Sequence, residues 1–172
     1  MSWSVRPSEA RDRESIIAVV GDAFANGGRD GSEEVAIVRA VWALDAGVEG
    51  FDLVADDGGR VVGHVLGSTG HLGGRRVVGI APLAVAPRSQ GEGIGTALMT
   101  ELLARVERAN EPLVVLLGLP AYYSRFGFEP AAALGISYPP VGWGNPHFMV
   151  RRFEGYDASN QGTYAYCWEE GG

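Results

Sequence analysis

Apolar residues recur along this 172-residue chain with two different periods, and the alternation of the periods predicts its elements. Ile16, Val20 and Phe24 stand at helical spacing and predict a first helix beginning near Ser8. Val35, Val38 and Trp42 predict a second, with Ser32 as its cap. Ile94, Leu98, Leu102 and Val106 stand four apart and predict a third helix over about 93–109 that buries one face and ends before Pro112. Between these lie strand-like runs at 4–6, 51–55, 60–68, 76–86, 113–118, 148–153 and 163–168. The runs at 51–55 and 60–68 flank Asp56-Asp57-Gly58-Gly59, a hairpin signal. Residues 26–31 read as a flexible loop, and the chain is rich in glycine and proline from Pro130 to Pro146. Strands alternating with helices point to an α/β fold. No internal repeat is present.

The densest information sits where the strand at 76–86 meets the third helix. Val85-Ala86-Pro87-Arg88-Ser89-Gln90-Gly91-Glu92-Gly93-Ile94-Gly95-Thr96 places a strand, a glycine-rich turn and a helix start in succession. Glycines admit close approach of a ligand to the backbone, and the unpaired N–H groups of a first helical turn attract an anion. A pyrophosphate-bearing ligand is one reading; an ordinary tight turn capping a buried helix is the other. Two familiar glycine loops fail here. A phosphate loop of the G-x-x-x-x-G-K-[ST] type needs lysine after its last glycine, and Thr96 follows Gly95. A dinucleotide fingerprint starting at Gly91 needs glycine or alanine where Thr96 stands, which disfavours a nucleotide-binding oxidoreductase.

What does fit is Gln90-x-x-Gly93-x-Gly95 after Leu83-Ala84-Val85-Ala86-Pro87, which resembles the coenzyme A pyrophosphate motif of the GNAT superfamily of N-acetyltransferases. A second segment supports it: after the strand at 113–118, Ala121-Tyr122-Tyr123-Ser124-Arg125-Phe126-Gly127-Phe128-Glu129-Pro130 is similar to the family's late segment, with a tyrosine four residues before Gly-Phe. The resemblance covers about residues 5–130 and suggests a bacterial subgroup sharing this tyrosine-bearing segment. It leaves 131–172 as a variable C-terminal part of one acetyltransferase domain.

That resemblance implies a mixed, mostly antiparallel central sheet flanked by helices and splayed between the fourth and fifth strands. It implies acetyl-CoA as co-substrate, held by main-chain groups of Leu83, Ala84 and Val85 and by a cradle of Gln90, Gly91, Gly93, Ile94, Gly95 and Thr96. The side chains of Leu83, Ala84 and Val85 pack, and Gln90 contacts pyrophosphate or orders the loop. Tyr123 is the implied catalytic acid for the departing thiolate, since a phenol with a pKa near ~10 is protonated at neutral pH. Tyr122, Phe126 and Phe128 read as packing residues, and Arg88 and Arg125 as solvated charges near the phosphates.

Two departures stand out: Glu92 occupies a position that is commonly basic in the family, and Gly118-Leu119-Pro120 stands where asparagine is often found. The group that accepts the substrate proton is left open among Glu33, Glu34, His64 and His71, none of which spacing singles out. His64 reads equally as a satisfied core histidine, and Glu33 and Glu34 as acids favouring a helix dipole.

Composition narrows partners more than chemistry. With 21 acidic and 14 basic residues, a net charge of −7 argues against nucleic acid and is compatible with a cationic amine acceptor. Apolar runs are strand-sized, so neither a membrane span nor a signal peptide is expected, and a cytoplasmic location is the default. Three scattered histidines and the lone Cys167, placed in the last strand, give no metal-ligand spacing and no internal disulfide. The acceptor is expected to be a small molecule or peptide amine, met by residues 26–32 and by aromatic walls at Tyr138 to Pro146. A homodimer is left open. A non-catalytic acyl-CoA-binding or regulatory module on the same fold is the alternative.

Overall fold

The computed structural model describes residues 2–170. Its elements run β1 (Trp3–Pro7), α1 (Arg13–Phe24), α2 (Ser32–Ala43), β2 (Gly47–Asp57), β3 (Arg60–Leu72), β4 (Arg75–Val85), α3 (Ile94–Arg108), β5 (Leu113–Leu117), α4 (Pro120–Tyr123), β6 (Glu129–Pro130), β7 (Ile136–Ser137), β8 (Phe148–Arg152) and β9 (Gly162–Tyr166). The sheet order is β1-β2-β3-β4-β5-β8-β6, and β9 adds to the far end of β3 with β7 beside it. β1 to β4 form an antiparallel meander, β4 and β5 run parallel, and β8 returns antiparallel to β5.

Period-two alternation in the strands sends side chains to two helical layers. Leu53, Ala55, Val65 and Val114 face α3, which buries Ile94, Leu98, Met99, Leu102 and Val106. Val54, Leu66 and Ala84 face α1 and α2, which bury Ile16, Val20, Val38 and Val41. Among the described residues no helix is long and apolar enough to cross a membrane.

The expected splay has a local cause. β4 pairs with β5 only at Val78, Gly79 and Ile80, although β4 continues to Val85. Beyond Ile80 stands Pro82, after a cis Ala81–Pro82 bond, and the register against β3 shifts at the same point. Proline has no N–H to give a ladder and sits in strands only at edges or bulges. Leu83, Ala84 and Val85 therefore stay paired to Val65, His64 and Gly63 on one side while their other side opens into a gap.

Several boundaries differ from expectation; β2 starts at Gly47 and β3 runs to Leu72, both longer than the runs at 51–55 and 60–68. A 3-10 turn, Ala10–Asp12, precedes α1, because the Asp12 carboxylate accepts the Glu9 N–H at 2.7 Å and binds Arg6 at 2.7 and 3.0 Å. Gly31, at φ 77°, caps α2 in place of Ser32, whose N–H is taken by Asp30 Oδ1 at 2.9 Å. α3 begins at Ile94, with Gly93 as its cap. The final strand stops at Tyr166, so Cys167 opens a 3-10 turn, Cys167–Glu169, instead of lying in a strand.

Candidate active site

The gap beside β4 opens into a cavity of about 840 Å³, within the range of small-molecule sites. One end is built from the glycine loop. Gly93 holds φ 84°, a left-handed conformation that glycine adopts without strain, and a Cβ there would meet nothing within 4 Å. The backbone turns sharply into α3 with open space above it. The first turn of α3 carries no acidic residue and its last turn carries Arg105 and Arg108, so the positive end of the helix dipole is left free for an anion. Glu92 is exposed and lines a separate pocket with Arg60 and Arg88, apart from the cradle lining.

Gln90, Gly91, Gly93, Ile94, Gly95 and Thr96 all line this end of the cavity. Gln90 Nε2 donates to the Val85 carbonyl at 3.2 Å, so the side chain ties the loop back to the strand. Leu83, Ala84 and Val85 line the middle, and the Val85 carbonyl faces the loop instead of a neighbouring strand.

The late segment clasps the same loop. Arg125 Nη2 donates to Thr96 Oγ1 at 3.0 Å and its guanidinium stacks 4.2 Å from the Tyr122 ring centre, so it is an engaged side chain at the mouth. A Cβ on Gly95 would come within 2.8 Å of the Tyr122 hydroxyl.

Tyr123 lies over Gly118, where a Cβ would fall 2.2 Å from its Cε2. Only glycine at position 118 leaves room for the ring where it stands. Phe128 meets the Tyr123 ring edge-on at 6.0 Å, and Tyr122 meets it edge-on at 4.9 Å. Burial, with a smaller push from Tyr122, raises the Tyr123 phenol to about 12. Its hydroxyl stays protonated through the neutral range.

The other end is built from α1, α2 and the C-terminal part. Phe24 and Ile37 line it, with Tyr138, Tyr166 and Trp168 opposite. Tyr166 and Trp168 stack at 4.4 Å, and Tyr138 meets Tyr166 edge-on at 5.4 Å. Residues 26–32 do not line the cavity, and Trp143, 71% exposed, is no part of its wall. Their neighbours Phe24 and Glu34 do that work, and within the stretch from Tyr138 to Pro146 only Tyr138 lines the cavity. Sequence reasoning misses Tyr166 and Trp168 as site residues, because nothing in their own segment says that they reach back to β4.

The four acids and histidines left open separate cleanly. Glu34 lines the cavity, whereas Glu33 is 84% exposed on the outer side of α2. His64 is buried on the α1/α2 face of the sheet with Nε2 2.8 Å from Asp52 Oδ1, and Trp42 also donates to Asp52, at 3.1 Å. His71 pairs with Glu170 at the far end of β3. Cys167 lies outside the cavity wall, 3.9 Å from Ser68 Oγ, and burial raises its thiol.

A strand that leaves its parallel neighbour at a proline, with an anion cradle at its end and a half-buried tyrosine across the gap, defines a class that comparison confirms. Residues 4–131 match the model of the acetyltransferase (GNAT) domain, and the chain belongs to this family of acetyltransferases. Among curated relatives it is 43% identical over 82 residues to the uncharacterized N-acetyltransferase YhbS of Escherichia coli strain K12, covering 46% of this chain and 49% of that protein. It is 31% identical over 105 residues to YjhQ of the same strain, covering 59% and 58%. The chain thus spans about half the length of the curated relatives it matches. Two solved structures align along nearly all of it. Escherichia coli YhbS in complex with CoA aligns at TM-score 0.83 and 31% identity, over 96% of this chain and 90% of that one. A GNAT acetyltransferase of Brucella melitensis in complex with acetyl-CoA aligns at 0.78 and 32%, over 95% of each.

Proposed function

We propose that this chain is a cytoplasmic, single-domain N-acetyltransferase that moves the acetyl group of acetyl-CoA directly to a primary amine of a small molecule or peptide. The observation that carries the reading is the opening of β4 beyond Ile80, which leaves the main chain of Leu83, Ala84 and Val85 along a cavity that joins the glycine cradle to an aromatic end. A thioester laid along that strand would place its pyrophosphate against Gln90 to Thr96, with the Arg125 guanidinium beside it. Its carbonyl would meet main-chain donors of β4, which polarise it for attack.

The chemistry is one exchange of bonds. The acceptor ammonium gives up two protons as its nitrogen forms the N–C bond and the C–S bond breaks; one ends on the sulfur and the other is released to solvent. Tyr123 donates to the sulfur as charge develops on it. With a phenol near 12 against a thiol near ~8.5, donation of a hydrogen bond is favoured over lasting proton transfer, and water restores the proton balance. Cys167 supports direct transfer over an acyl-enzyme, because its raised thiol stands outside the cavity wall.

The test is thiol release from acetyl-CoA with amino acids, short peptides and small amines, beside a CoA-binding titration. Turnover with any amine supports the reading. Tight CoA binding without turnover on the whole panel favours a non-catalytic acyl-CoA-binding module.

A further inference from the structure

Among the described residues, only two side chains lining the cavity carry charge, Arg125 at the cradle end and Glu34 at the aromatic end. Glu34 projects from the first turn of α2, which packs against β4 and against the Cys167–Glu169 turn. Arg29 holds its Oε1, but Oε2 is buried and has no hydrogen-bond partner among the described residues. Across from it, Tyr166 is 2% exposed and its hydroxyl is likewise buried without a partner among them. The neighbouring phenols differ. Tyr164 donates to the Val77 carbonyl at 3.2 Å, and Tyr138 donates to Glu169. Buried polar atoms are ordinarily paired, so an orphan in the lining on each side of this end marks a place where a ligand completes the hydrogen bonding.

We propose that this end is an acceptor subsite for a primary amine carrying a single positive charge and an apolar or aromatic body. The inference rests on the acetyltransferase reading and narrows its substrate class. Glu34 Oε2 and the Tyr166 hydroxyl accept from the amine, and Phe24, Ile37 and Trp168 cover the body. One carboxylate sets the selectivity. A polyamine or aminoglycoside would bring further ammonium groups against Phe24, Ile37 and Trp168, where burying an unpaired charge is strongly opposed.

The test compares kcat/KM for 2-phenylethylamine, spermidine and kanamycin at saturating acetyl-CoA. 2-Phenylethylamine should lead by at least about tenfold. Glu34→Gln should lower its kcat/KM by about 10- to 100-fold with the KM for acetyl-CoA unchanged, Glu34→Asp should recover part of the loss, and Glu33→Gln should stay within about twofold. Tyr166→Phe keeps the stacked ring and removes only an unpartnered hydroxyl. It should fold with an unchanged Tm and lose a few-fold in kcat/KM.

Preference for spermidine or kanamycin, or an unchanged Glu34→Gln enzyme, overturns the subsite while leaving the acetyltransferase reading in place. If none of the three amines turns over, the Tm of the CoA-bound protein with 2-phenylethylamine decides. A rise seen in the native protein and lost in Glu34→Gln supports the subsite, and no rise overturns it.

Discussion

The two ends of the cavity are made of different material. At the cradle end the atoms proposed to hold the thioester belong largely to the main chain: amides of the Gly93–Thr96 turn and the opened groups of Leu83 to Val85. At the aromatic end the lining atoms belong to side chains drawn from α1, α2 and the C-terminal part. Main-chain chemistry constrains which residues can stand at a position, since a left-handed turn wants glycine and an opened strand wants a break in its ladder. Side-chain chemistry constrains only what reaches the cavity, and many sequences can supply a ring or a carboxylate there. A site assembled this way keeps a fixed donor and leaves the acceptor free to change.

The sharpest challenge to that contrast is Tyr123, the one cradle-end side chain assigned a chemical role. Tyr123→Phe should lower kcat by about 10²-fold with CoA affinity nearly unchanged in a calorimetric titration. A fully active variant would leave the chemistry at the donor end to the backbone, with Arg125 and Gln90 only shaping the cradle. Gly118→Ala tests the seat of that ring. With a Cβ 2.2 Å from Cε2, it should lose about 1–3 kcal/mol of stability in denaturant unfolding and carry kcat down with it.

Gly93→Val reaches the backbone itself. Forcing a β-branched residue toward φ 84° costs on the order of 1–3 kcal/mol, so CoA affinity should weaken by about tenfold or more while acceptor KM holds. If acceptor KM moves in parallel, the two ends are not separable.

A subtler measure is the pH profile. Because burial lifts the Tyr123 phenol to about 12, its proton is retained below that pH, and it should contribute no falling limb to kcat between about pH 7 and 10.5. A limb near ~10 that vanishes in Tyr123→Phe would show an ordinary, solvated phenol. The smallest effect belongs to Trp143. Exposed and outside the wall, it should change kcat/KM and stability by no more than about 0.5 kcal/mol when replaced by alanine.

The same contrast governs how much is legible in the amino-acid sequence alone. Gln90 to Thr96 and the strand leading into it are legible, because turn geometry restricts residue type at each step. The order of elements through Phe128 is legible from its periods. Glu34 is not separable from Glu33. Adjacent helical positions differ by about 100°, and only the packing of α2 on β4 and the Cys167–Glu169 turn tells which acid faces inward. Pro82 does carry a signal for the splay, since a proline within a run that reads as a continuous strand argues for a break in pairing. Tyr166 offers none. Its place follows from pairing with Gly70, a contact no local pattern encodes.

That last pairing has a consequence for how the molecule comes together. β9 joins β3 across most of the chain, and near its end Cys167 meets Ser68, 99 residues upstream. Closing so long a loop costs entropy that nearby contacts do not, and contacts of high sequence separation slow folding. During synthesis, the opened strand and its glycine loop emerge well before the aromatic wall, which waits for β9. A nascent chain is therefore expected to gain its donor seat before it can discriminate among amines, and slowing or misplacing the final strand would yield a protein that still holds CoA but has no choice of partner for it.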